Sequence, residues 1–395
     1  MPRWENWSGR VACEPTAIER PETEAELVSL VETHAPESTI RVAGAGHSFT
    51  DVVPTDDVLV SLENYAGVES VDPERGRATV RAGTVLADAG RELAAHGLAM
   101  ENLGDIDRQT VAGALATGTH GTGTDFGVLA TQVTAVRLVT ADGRVRTLEP
   151  GDEAFGPAQV SLGALGVVSA VTLDCQPSYE LSMVARERPV DEVFADLDAY
   201  KSENRHFEFF WYPGDDLARV KTINRTDEPA PPLRGGEVVE RQTGPSHEVF
   251  PSVRDVRFNE MEYGLPAAHG EAAFRRARSA LESHGGISFP IEFRCVAADD
   301  VPLSPAYGRE TTFVAVHRYH ERPYRAFFDR CEAVFDEYEG RPHWGKLHTQ
   351  TAADLAPRYP EWDRFQAVRR DLDPHGVFLN DHLRDLFGAA AAGAD

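Results

Sequence analysis

The feature of this sequence that most restricts its possible folds is a charge-free stretch of fourteen residues, Val111–Thr124, which reads VAGALATGTHGTGT. Charged residues make up 26% of the chain, so about four would be expected in a segment of this length. Its many glycines and threonines are typical of a buried wall against a large phosphate-bearing ligand, with backbone N–H groups and hydroxyls as donors. A flexible linker is the alternative, but the first six residues are too apolar for a solvated linker.

A second glycine-rich segment, Arg41–Ser48, follows a predicted strand and reads RVAGAGHS. Its two glycines allow positive φ and close backbone approach, so successive N–H groups can form an anion-binding nest. The segment is not the dinucleotide-binding fingerprint GxGxxG, because Phe49 stands at the third glycine and no βαβ unit follows. A plain tight turn explains this segment equally well when it is taken alone.

The predicted elements are mainly short strands without a regular alternation of strand and helix. Val133–Thr140 and Val145–Leu148, for example, flank a turn at residues 141–143 and predict a β-hairpin. This pattern favours an α+β fold over a doubly wound parallel sheet. A chain of 395 residues exceeds what one core usually organises, and its composition changes after Pro177. We therefore expect two domains, with a proline- and glycine-rich loop or insertion at residues 226–247.

Composition restricts the partners and the location of the protein. The net charge of −25 opposes binding to nucleic acid or to anionic membranes. No apolar run approaches about eighteen residues, and residues 1–10 are polar, so neither a membrane span nor a secretion signal is expected. The four cysteines lack CxxC spacing, which fits reduced thiols in the cytoplasm and argues against a zinc ribbon. We expect no metal site.

Lysine is unusually scarce. Lys201, Lys221 and Lys346 are the three lysines among 39 basic residues. An acidic, lysine-poor chain suggests a salt-loving host, and an acidic protein from a GC-rich genome is the alternative.

Several ordered motifs make the two glycine-rich segments recognisable. They are GAGHS at 44–48, NLGDIDRQTVAGALATGTHGTG at 102–123, SLGALGVVSAVTL at 161–173, HFEFFWYP at 206–213, IEFR at 291–294, SPAY at 304–307, RPHWGK at 341–346 and DPHGVFLN at 373–380. Over nearly its whole length the chain resembles the aldonolactone and alditol oxidases of the vanillyl-alcohol-oxidase superfamily. The resemblance implies a flavin domain of the VAO/PCMH type at residues 1–176, a sheet-plus-helices substrate domain at 177–345, and a C-terminal segment, 346–395, that returns to the flavin domain.

The resemblance also implies that the protein binds FAD, with a covalent bond from His47 to the flavin 8α-methyl group. A histidine that hydrogen-bonds a phosphate or caps the loop is the alternative for this residue. The other implied cofactor-binding residues lie in or beside the glycine-rich segments. They are Arg41, Val42, Ala43, Gly44, Ala45, Gly46, Ser48, Asp105, Thr110, Gly113, Thr117, Gly118, Thr119, His120 and Val168.

Three charged residues are candidates for the substrate site. Glu292 and Arg294 stand two positions apart on a predicted strand, so both side chains point to one face. Such a pair can hold vicinal hydroxyls from the donor and the acceptor side, and a structural ion pair is the alternative. Lys346 is a lysine in a chain that otherwise uses arginine, which suggests a need for a compact charge; a surface residue is the alternative. The resemblance places Lys346 by the flavin and the substrate.

Two residues depart from the family pattern. His317 stands where related alditol oxidases can carry threonine, and it could accept a proton from the substrate hydroxyl; a histidine packed in the sheet is the alternative. Asp105 replaces the serine common at its position, which alters the expected contact with the reacting end of the substrate. The substrate is thus left open between a polyol, an aldonolactone and an aldose hemiacetal.

The reaction that the resemblance implies is removal of a hydride from a CH–OH carbon to flavin N5, with loss of the hydroxyl proton. Lys346 or Arg294 would stabilise the anionic reduced ring. Gly104 would lie beside the reactive flavin edge and leave room for O2, so O2 is the expected acceptor and H2O2 the product. A dehydrogenase with another acceptor and a non-catalytic flavin protein are the alternatives, and the presence of Glu292, Arg294 and Lys346 argues against the second.

Overall fold

The structure, a computed structural model, describes residues 2–214, 216–252 and 256–387. Its strands are β1 (Trp4–Glu5), β2 (Ala12–Cys13), β3 (Ala17–Glu19), β4 (Ile40–Ala43), β5 (Val58–Ser61), β6 (Val68–Asp72), β7 (Arg77–Arg81), β8 (Leu98–Ala99), β9 (Val133–Val139), β10 (Val145–Leu148), β11 (Val167–Asp174), β12 (Gln176–Pro177), β13 (Glu180–Pro189), β14 (His206–Trp211), β15 (Leu217–Arg225), β16 (Glu237–Pro245), β17 (Phe258–Pro266), β18 (Ile291–Val296), β19 (Thr311–Tyr319) and β20 (Arg341–Pro342). Its helices are α1 (Glu24–His34), α2 (Leu86–Ala95), α3 (Val111–Ala116), α4 (Phe155–Gln159), α5 (Val190–Ala195), α6 (Leu197–Glu203), α7 (Ser246–Val249), α8 (Gly270–His284), α9 (Arg325–Glu337), α10 (Ala352–Leu355), α11 (Trp362–Leu372) and α12 (Asp381–Phe387). Helices and mostly antiparallel strands confirm the predicted α+β fold class.

Two sheets form the N-terminal part of the molecule. β3, β5 and β4 make a small parallel sheet, in which Arg41 of β4 lies opposite Leu59 of β5. β10, β9, β11, β7 and β6 make an antiparallel sheet in that order. β9 and β10 pair directly, with Val145 opposite Val139, which confirms the predicted hairpin. The glycine-rich loop at 44–48 follows β4 and so leaves the end of a parallel strand.

An eight-stranded sheet organises the second part, with strand order β16-β13-β15-β14-β18-β19-β17-β20. Its two faces differ because successive side chains of a strand alternate between them. One face is aromatic and packs against α8 and α9; Phe209 of β14 stacks on Phe293 of β18 with ring centroids 4.8 Å apart. The other face carries buried charged side chains, such as Glu208 of β14 opposite Arg294 of β18. This charged face positions the candidate site.

The predicted loop at 226–247 is wrong in its second half, because residues 237–245 form β16, the edge strand of the large sheet. β16 is mostly exposed on both faces, so it lacks the alternation by which a half-buried strand is recognised. The sequence also does not predict β13, β15 and β17. Residues 258–265 of β17 are all buried, and Glu260 and Glu262 interrupt their apolar pattern.

The C-terminal helices α10, α11 and α12 pack into the same apolar core as the N-terminal sheets. The N–H of Ile40 donates to the Val377 carbonyl at 2.9 Å, and the Asn380 side-chain amide donates to the Asp51 carbonyl at 2.8 Å. These contacts bring the end of the described chain beside the strand that precedes the glycine-rich loop. The domain boundaries at 176 and 345 stay a prediction.

None of the helices in the described ranges is long and apolar enough to cross a membrane. All four cysteines of the chain are free thiols, two of them buried.

Candidate active site

Two adjoining cavities meet at the end of the glycine-rich loop. The smaller has a volume of about 390 Å³ and the larger a volume of about 680 Å³, both within the range of roughly 300–1,000 Å³ that is usual for ligand sites. His47, Ser48, Gln109 and Thr117 line both cavities. Together the cavities make one elongated site between the N-terminal sheets and the charged face of the large sheet.

Most of the predicted cofactor-binding residues line the smaller cavity. They are Arg41, Val42, Ala43, Gly44, Ala45, Gly46, His47, Ser48, Thr110, Gly113, Thr117 and Val168. Asp105, Thr119 and His120 line the larger cavity instead. Gly118 lines neither: it adopts φ +68°, and a Cβ there would lie 3.4 Å from Pro305 Cδ, so its need for glycine comes from the turn.

Arg41 supports the wall of the smaller cavity with its guanidinium. The side chain is buried, and its Nε donates to the Val52 carbonyl at 2.9 Å. Nη2 donates to the Leu162 carbonyl at 2.8 Å, and Nη1 donates to the Phe378 carbonyl. The guanidinium therefore joins three chain segments around β4, and its effect on a bound cofactor would be indirect.

The smaller cavity fits a flavin dinucleotide, because most of its wall is small and uncharged. Gly44 and Ala45 are exposed to the cleft. A Cβ on Gly44 would lie 2.5 Å from Thr110 Oγ1, so no larger residue is tolerated there. The Thr110 hydroxyl accepts the N–H of Gly113 at 3.3 Å, which caps α3 against the loop. The loop and the start of α3 are therefore packed closely together at Gly44.

His47 lies where the two cavities join. Trp7 stacks beside it with ring centroids 5.7 Å apart. The backbone N–H of Trp7 donates to the Gly46 carbonyl at 2.8 Å. The Asn6 side-chain amide donates to the Ser48 carbonyl at 2.9 Å. Burial, with the nearby cations Lys346 and Arg108, lowers the pKa of His47 to about 4. The imidazole is therefore neutral at neutral pH and keeps a lone pair on one nitrogen.

A buried ion-pair network closes one side of the larger cavity. Arg294 contacts Glu292, and its Nε lies 2.7 Å from Glu208 Oε2. Arg294 Nη2 is 3.5 Å from Asp105 Oδ2. Lys221 Nζ lies 3.1 Å from Glu208 Oε1 and 3.3 Å from Asp105 Oδ1. The network joins β14, β15 and β18 of the sheet to the segment that contains Asp105.

A second network adjoins the first on the same face of the large sheet. The Lys346 ammonium contacts Glu260 Oε2, and it lies 5.3 Å from the centroid of the Phe49 ring. His317 Nε2 lies 3.5 Å from Glu260 Oε1 and 4.0 Å from Glu292 Oε2. His317 Nδ1 is 3.2 Å from the Pro290 carbonyl, which can only accept, so the partner assigns a proton to Nδ1. In the neutral ring Nε2 is then the unprotonated nitrogen.

Two further histidines lie in the floor of the larger cavity. His120 Nε2 is 3.2 Å from Glu262 Oε1, and His120 stacks on Phe313 with ring centroids 3.6 Å apart. His343 Nδ1 accepts the N–H of Gly345 at 3.0 Å. Burial lowers the pKa of His343 to about 3, so this ring is neutral and carries its proton on Nε2.

The carboxylates of the site differ in protonation. Burial raises the pKa of Glu292 to about 7, despite the opposing effect of Arg294. Burial also acts to raise the pKa of Glu260, but Lys346 and His317 hold it well below its usual value. Ligand atoms of Glu260, Glu292 and His317 lie within 4.8 Å of one another, which would allow a cation. Lys346 and Arg294 already supply positive charge to these carboxylates.

The structure therefore brings Glu292, Arg294, His317, Lys346 and Asp105 to one cavity. The sequence analysis did not single out five neighbours that complete the two networks and the floor: Glu208, Lys221, Glu260, Glu262 and His343. A signal existed for Lys221, one of three lysines in the chain. Glu260 and Glu262 also stood two apart among apolar residues, the pattern that identified Glu292 and Arg294.

Comparisons with known proteins match the chain to two family models. Residues 171–239 and 233–386 match the family model described as D-arabinono-1,4-lactone oxidase. Residues 15–149 match the model described as FAD binding domain.

Two relatives match over nearly their whole length. The chain is 42% identical to L-gulono-1,4-lactone dehydrogenase of Mycobacterium tuberculosis (strain ATCC 25618 / H37Rv), over 98% of this chain and 99% of the relative. It is 35% identical to alditol oxidase of Streptomyces sp., over 96% and 98%. Among solved structures, cholesterol oxidase from Brevibacterium sterolicum superposes with a TM-score of 0.83 at 18% identity, over 98% of this chain and 96% of that one. At this low identity the superposition establishes the shared fold alone.

Proposed function

The chain belongs to the D-arabinono-1,4-lactone oxidase family, and from that premise we propose that it is an FAD-dependent oxidoreductase that oxidises a CH–OH group of an aldono-1,4-lactone or an alditol. FAD would supply the hydride acceptor for this oxidation, its flavin N5. The observation that carries the proposal is the pair of adjoining buried charge networks that line the larger cavity, which His47 also lines.

Glu292 and Arg294 are proposed to bind the substrate hydroxyls. A planar guanidinium donates several hydrogen bonds in fixed directions, and the adjacent carboxyl accepts. Arg294 is held from behind by Glu208, so its orientation is set before a substrate enters. A prearranged donor and acceptor suit a polyhydroxylated substrate, because little side-chain freedom is lost on binding.

His317 is proposed to accept the proton of the reacting hydroxyl, and Lys346 to stabilise negative charge that develops beside the flavin. The contact of His317 Nδ1 with the Pro290 carbonyl leaves Nε2 of the neutral ring as the acceptor. Glu260, 3.5 Å from Nε2, favours the imidazolium that forms after proton transfer. Lys346 is a fixed positive charge on the other side of Glu260.

His47 is proposed to hold the flavin covalently. Attachment exchanges one C–H bond of the 8α-methyl group for a C–N bond to the imidazole, and two protons and two electrons pass to an external acceptor such as O2. The neutral state of His47 supports this assignment, because the attacking nitrogen needs its lone pair.

For the electron acceptor we propose O2, with H2O2 as product. Gly104 lines the larger cavity, and a Cβ there would lie 3.2 Å from the His120 carbonyl oxygen and 3.4 Å from Thr119 Cγ2. Glycine thus leaves space that a side chain would narrow. The second candidate is a dehydrogenase with another acceptor, which the name of the relative from M. tuberculosis favours.

The proposal is tested by mixing the holoprotein with aldono-1,4-lactones and alditols under nitrogen, and then admitting air. Bleaching of the flavin absorbance by one of these substrates supports the activity, and rapid recovery with H2O2 formation supports the oxidase. Bleaching that recovers with an artificial acceptor but not with air would favour the dehydrogenase. Absence of bleaching by every lactone and alditol would contradict the proposed substrate class.

A further inference from the structure

Glu260 lies at the centre of the Lys346 network, where it contacts Lys346 as well as His317. One carboxylate oxygen contacts the Lys346 ammonium, and the other lies 3.5 Å from His317 Nε2. In the pairing of β17 with β19, Glu260 and His317 are direct cross-strand partners. The side chain is 5% exposed and lines the larger cavity. One carboxylate therefore fixes two groups that are proposed to take part in the reaction.

The backbone of Glu260 reinforces this contact. Its carbonyl accepts the N–H of Leu347 at 2.9 Å, and the next carbonyl on the same face, that of Glu262, accepts the N–H of His343 at 2.9 Å. The turn that carries Lys346 is thus docked on β17 on both sides of the lysine.

The surroundings leave Lys346 and His317 few other ways to be held. Lys346 lies between Glu260 and the Phe49 ring, whose centroid is 5.3 Å from Nζ. The second nitrogen of His317 faces the Pro290 carbonyl, and the other carboxyl near Nε2 is that of Glu292 at 4.0 Å. Arg294 contacts Glu292, which leaves Glu260 as the closer carboxylate partner of His317.

We propose that Glu260 is a positioning residue, which holds the Lys346 ammonium and the His317 imidazole in fixed relative positions in the larger cavity. This rests on the proposed function. The carboxylate acts through its two partners and takes no proton from the substrate itself. Its two oxygens fix the spacing between the imidazole and the ammonium.

The test compares Glu260→Gln with Glu260→Asp and with a control, Glu332→Gln, in holoprotein that carries its flavin. Glutamine keeps the shape and removes the charge, whereas aspartate keeps the charge and shortens the reach. Glu332 is equally buried, but it binds Tyr263 and Thr349 away from the cavity. It therefore reports what the loss of a buried carboxylate does to folding alone. The melting temperature, the limiting rate of anaerobic flavin bleaching and its dependence on substrate concentration are measured for each protein.

Positioning predicts that Glu260→Gln lowers the limiting rate roughly 10- to 100-fold, while the substrate concentration for half-maximal rate changes less. Glu260→Asp should recover little of the limiting rate, because its shorter side chain cannot reach both Lys346 and His317. Glu332→Gln should leave the limiting rate unchanged, even if it melts early.

A double-mutant cycle with Lys346→Met gives a readout independent of activity. Lys346→Met leaves Glu260 buried without its ammonium, so the further change Glu260→Gln should raise the melting temperature and slow bleaching little more. A normal limiting rate in folded Glu260→Gln would overturn this proposal alone. A native protein that no lactone or alditol bleaches would contradict the proposed function, and the present proposal with it.

Discussion

The Lys221 ammonium lies 3.3 Å from the Asp105 carboxylate, and this ion pair ties the centre of the large sheet to the segment that precedes the charge-free wall. Asp105 also accepts a hydrogen bond from Ser252 Oγ at 2.9 Å. Asp105 is therefore one corner of a network. Lys221 bridges Asp105 and Glu208, both of which also face Arg294.

Lys221→Met should destabilise the fold by about 3–5 kcal/mol, because it removes a cation that Asp105 and Glu208 share and leaves Arg294 to compensate both buried carboxylates. Urea unfolding followed by circular dichroism measures this loss. Arg75→Met is the matched control, since Arg75 is a highly exposed cation whose removal should change stability by less than about 0.5 kcal/mol. If both substitutions had equally small effects on stability, the network would not hold the large sheet to the segment that contains Asp105.

His47→Ala should abolish covalent flavin. Native protein is expected to retain yellow, ultraviolet-fluorescent flavin after acid precipitation and on a denaturing gel, whereas the variant should release any flavin it binds. Trp7 and Asn6 hold the loop on either side of His47, so Asn6→Ala should lower the covalent fraction without removing the imidazole. Complete release of flavin from native protein in acid would disprove the covalent assignment and leave the fold assignment intact.

His206→Asn should make the protein less sensitive to acid. His206 is fully buried, its Nδ1 lies 2.7 Å from the Thr122 carbonyl, and burial lowers its pKa to about 3. In the unfolded chain the pKa is about 6.5, so between about pH 6.5 and 3 the unfolded state binds one more proton. The free energy of unfolding contributed by this group therefore falls as pH falls, by up to about 1.4 kcal/mol per pH unit.

Asparagine keeps a donor for Thr122 but does not titrate, so the variant should lose this slope in urea unfolding between pH 7 and 4.5. Glu292 and Asp299 act in the opposite direction, because burial raises their pKa values to about 7 and about 6. They reduce the net slope of both proteins equally. An identical slope in native and variant protein would mean that His206 is protonated in the folded state.

Sequence predicted those parts of the fold whose signals are local. The hairpin at 133–148 alternates apolar and polar residues around a turn, and one face of the resulting sheet is buried. β17 gives no such signal, because both of its faces are buried and two glutamates interrupt it. The sequence does not predict β16 for the opposite reason, since β16 is a mostly exposed edge strand. Alternation identifies strands that are buried on one face, and these two are not.

In the candidate site, too, some residues could be predicted from a local sequence pattern and others could not. Glu292 and Arg294 could be paired from their spacing on one strand, but the contacts of Arg294 with Glu208 and of Lys346 with Glu260 span 86 residues of sequence. Such contacts depend on the order of strands in the large sheet, which no local pattern specifies. The scarcity of lysine pointed to Lys346, and it would have pointed to Lys221 by the same argument.

The net charge of −25 predicts that the protein is stabilised by salt if its acidity is an adaptation to a salt-loving host. Screening shortens the range of repulsion between carboxylates from about 10 Å at 0.1 M to about 3 Å at 1 M ionic strength. The melting temperature should therefore rise with KCl up to molar concentrations. Sucrose is the control, because it favours compact states without screening charge. Full stability in dilute buffer would remove the halophilic interpretation and leave the enzymatic one unaffected.

The most direct test of the account is the substrate dependence of anaerobic flavin bleaching in Arg294→Lys. Lysine keeps the positive charge among Glu208, Glu292 and Asp105, so the variant should fold, bind FAD and melt near the native temperature. It lacks the guanidinium fork, so the account predicts that the substrate concentration for half-maximal bleaching rises by roughly 100-fold, about 3 kcal/mol of lost binding, with a smaller change in the limiting rate. An early-melting variant whose folded molecules bleach with native concentration dependence would contradict the account, because Arg294 would then be a structural ion-pair residue that does not bind the substrate.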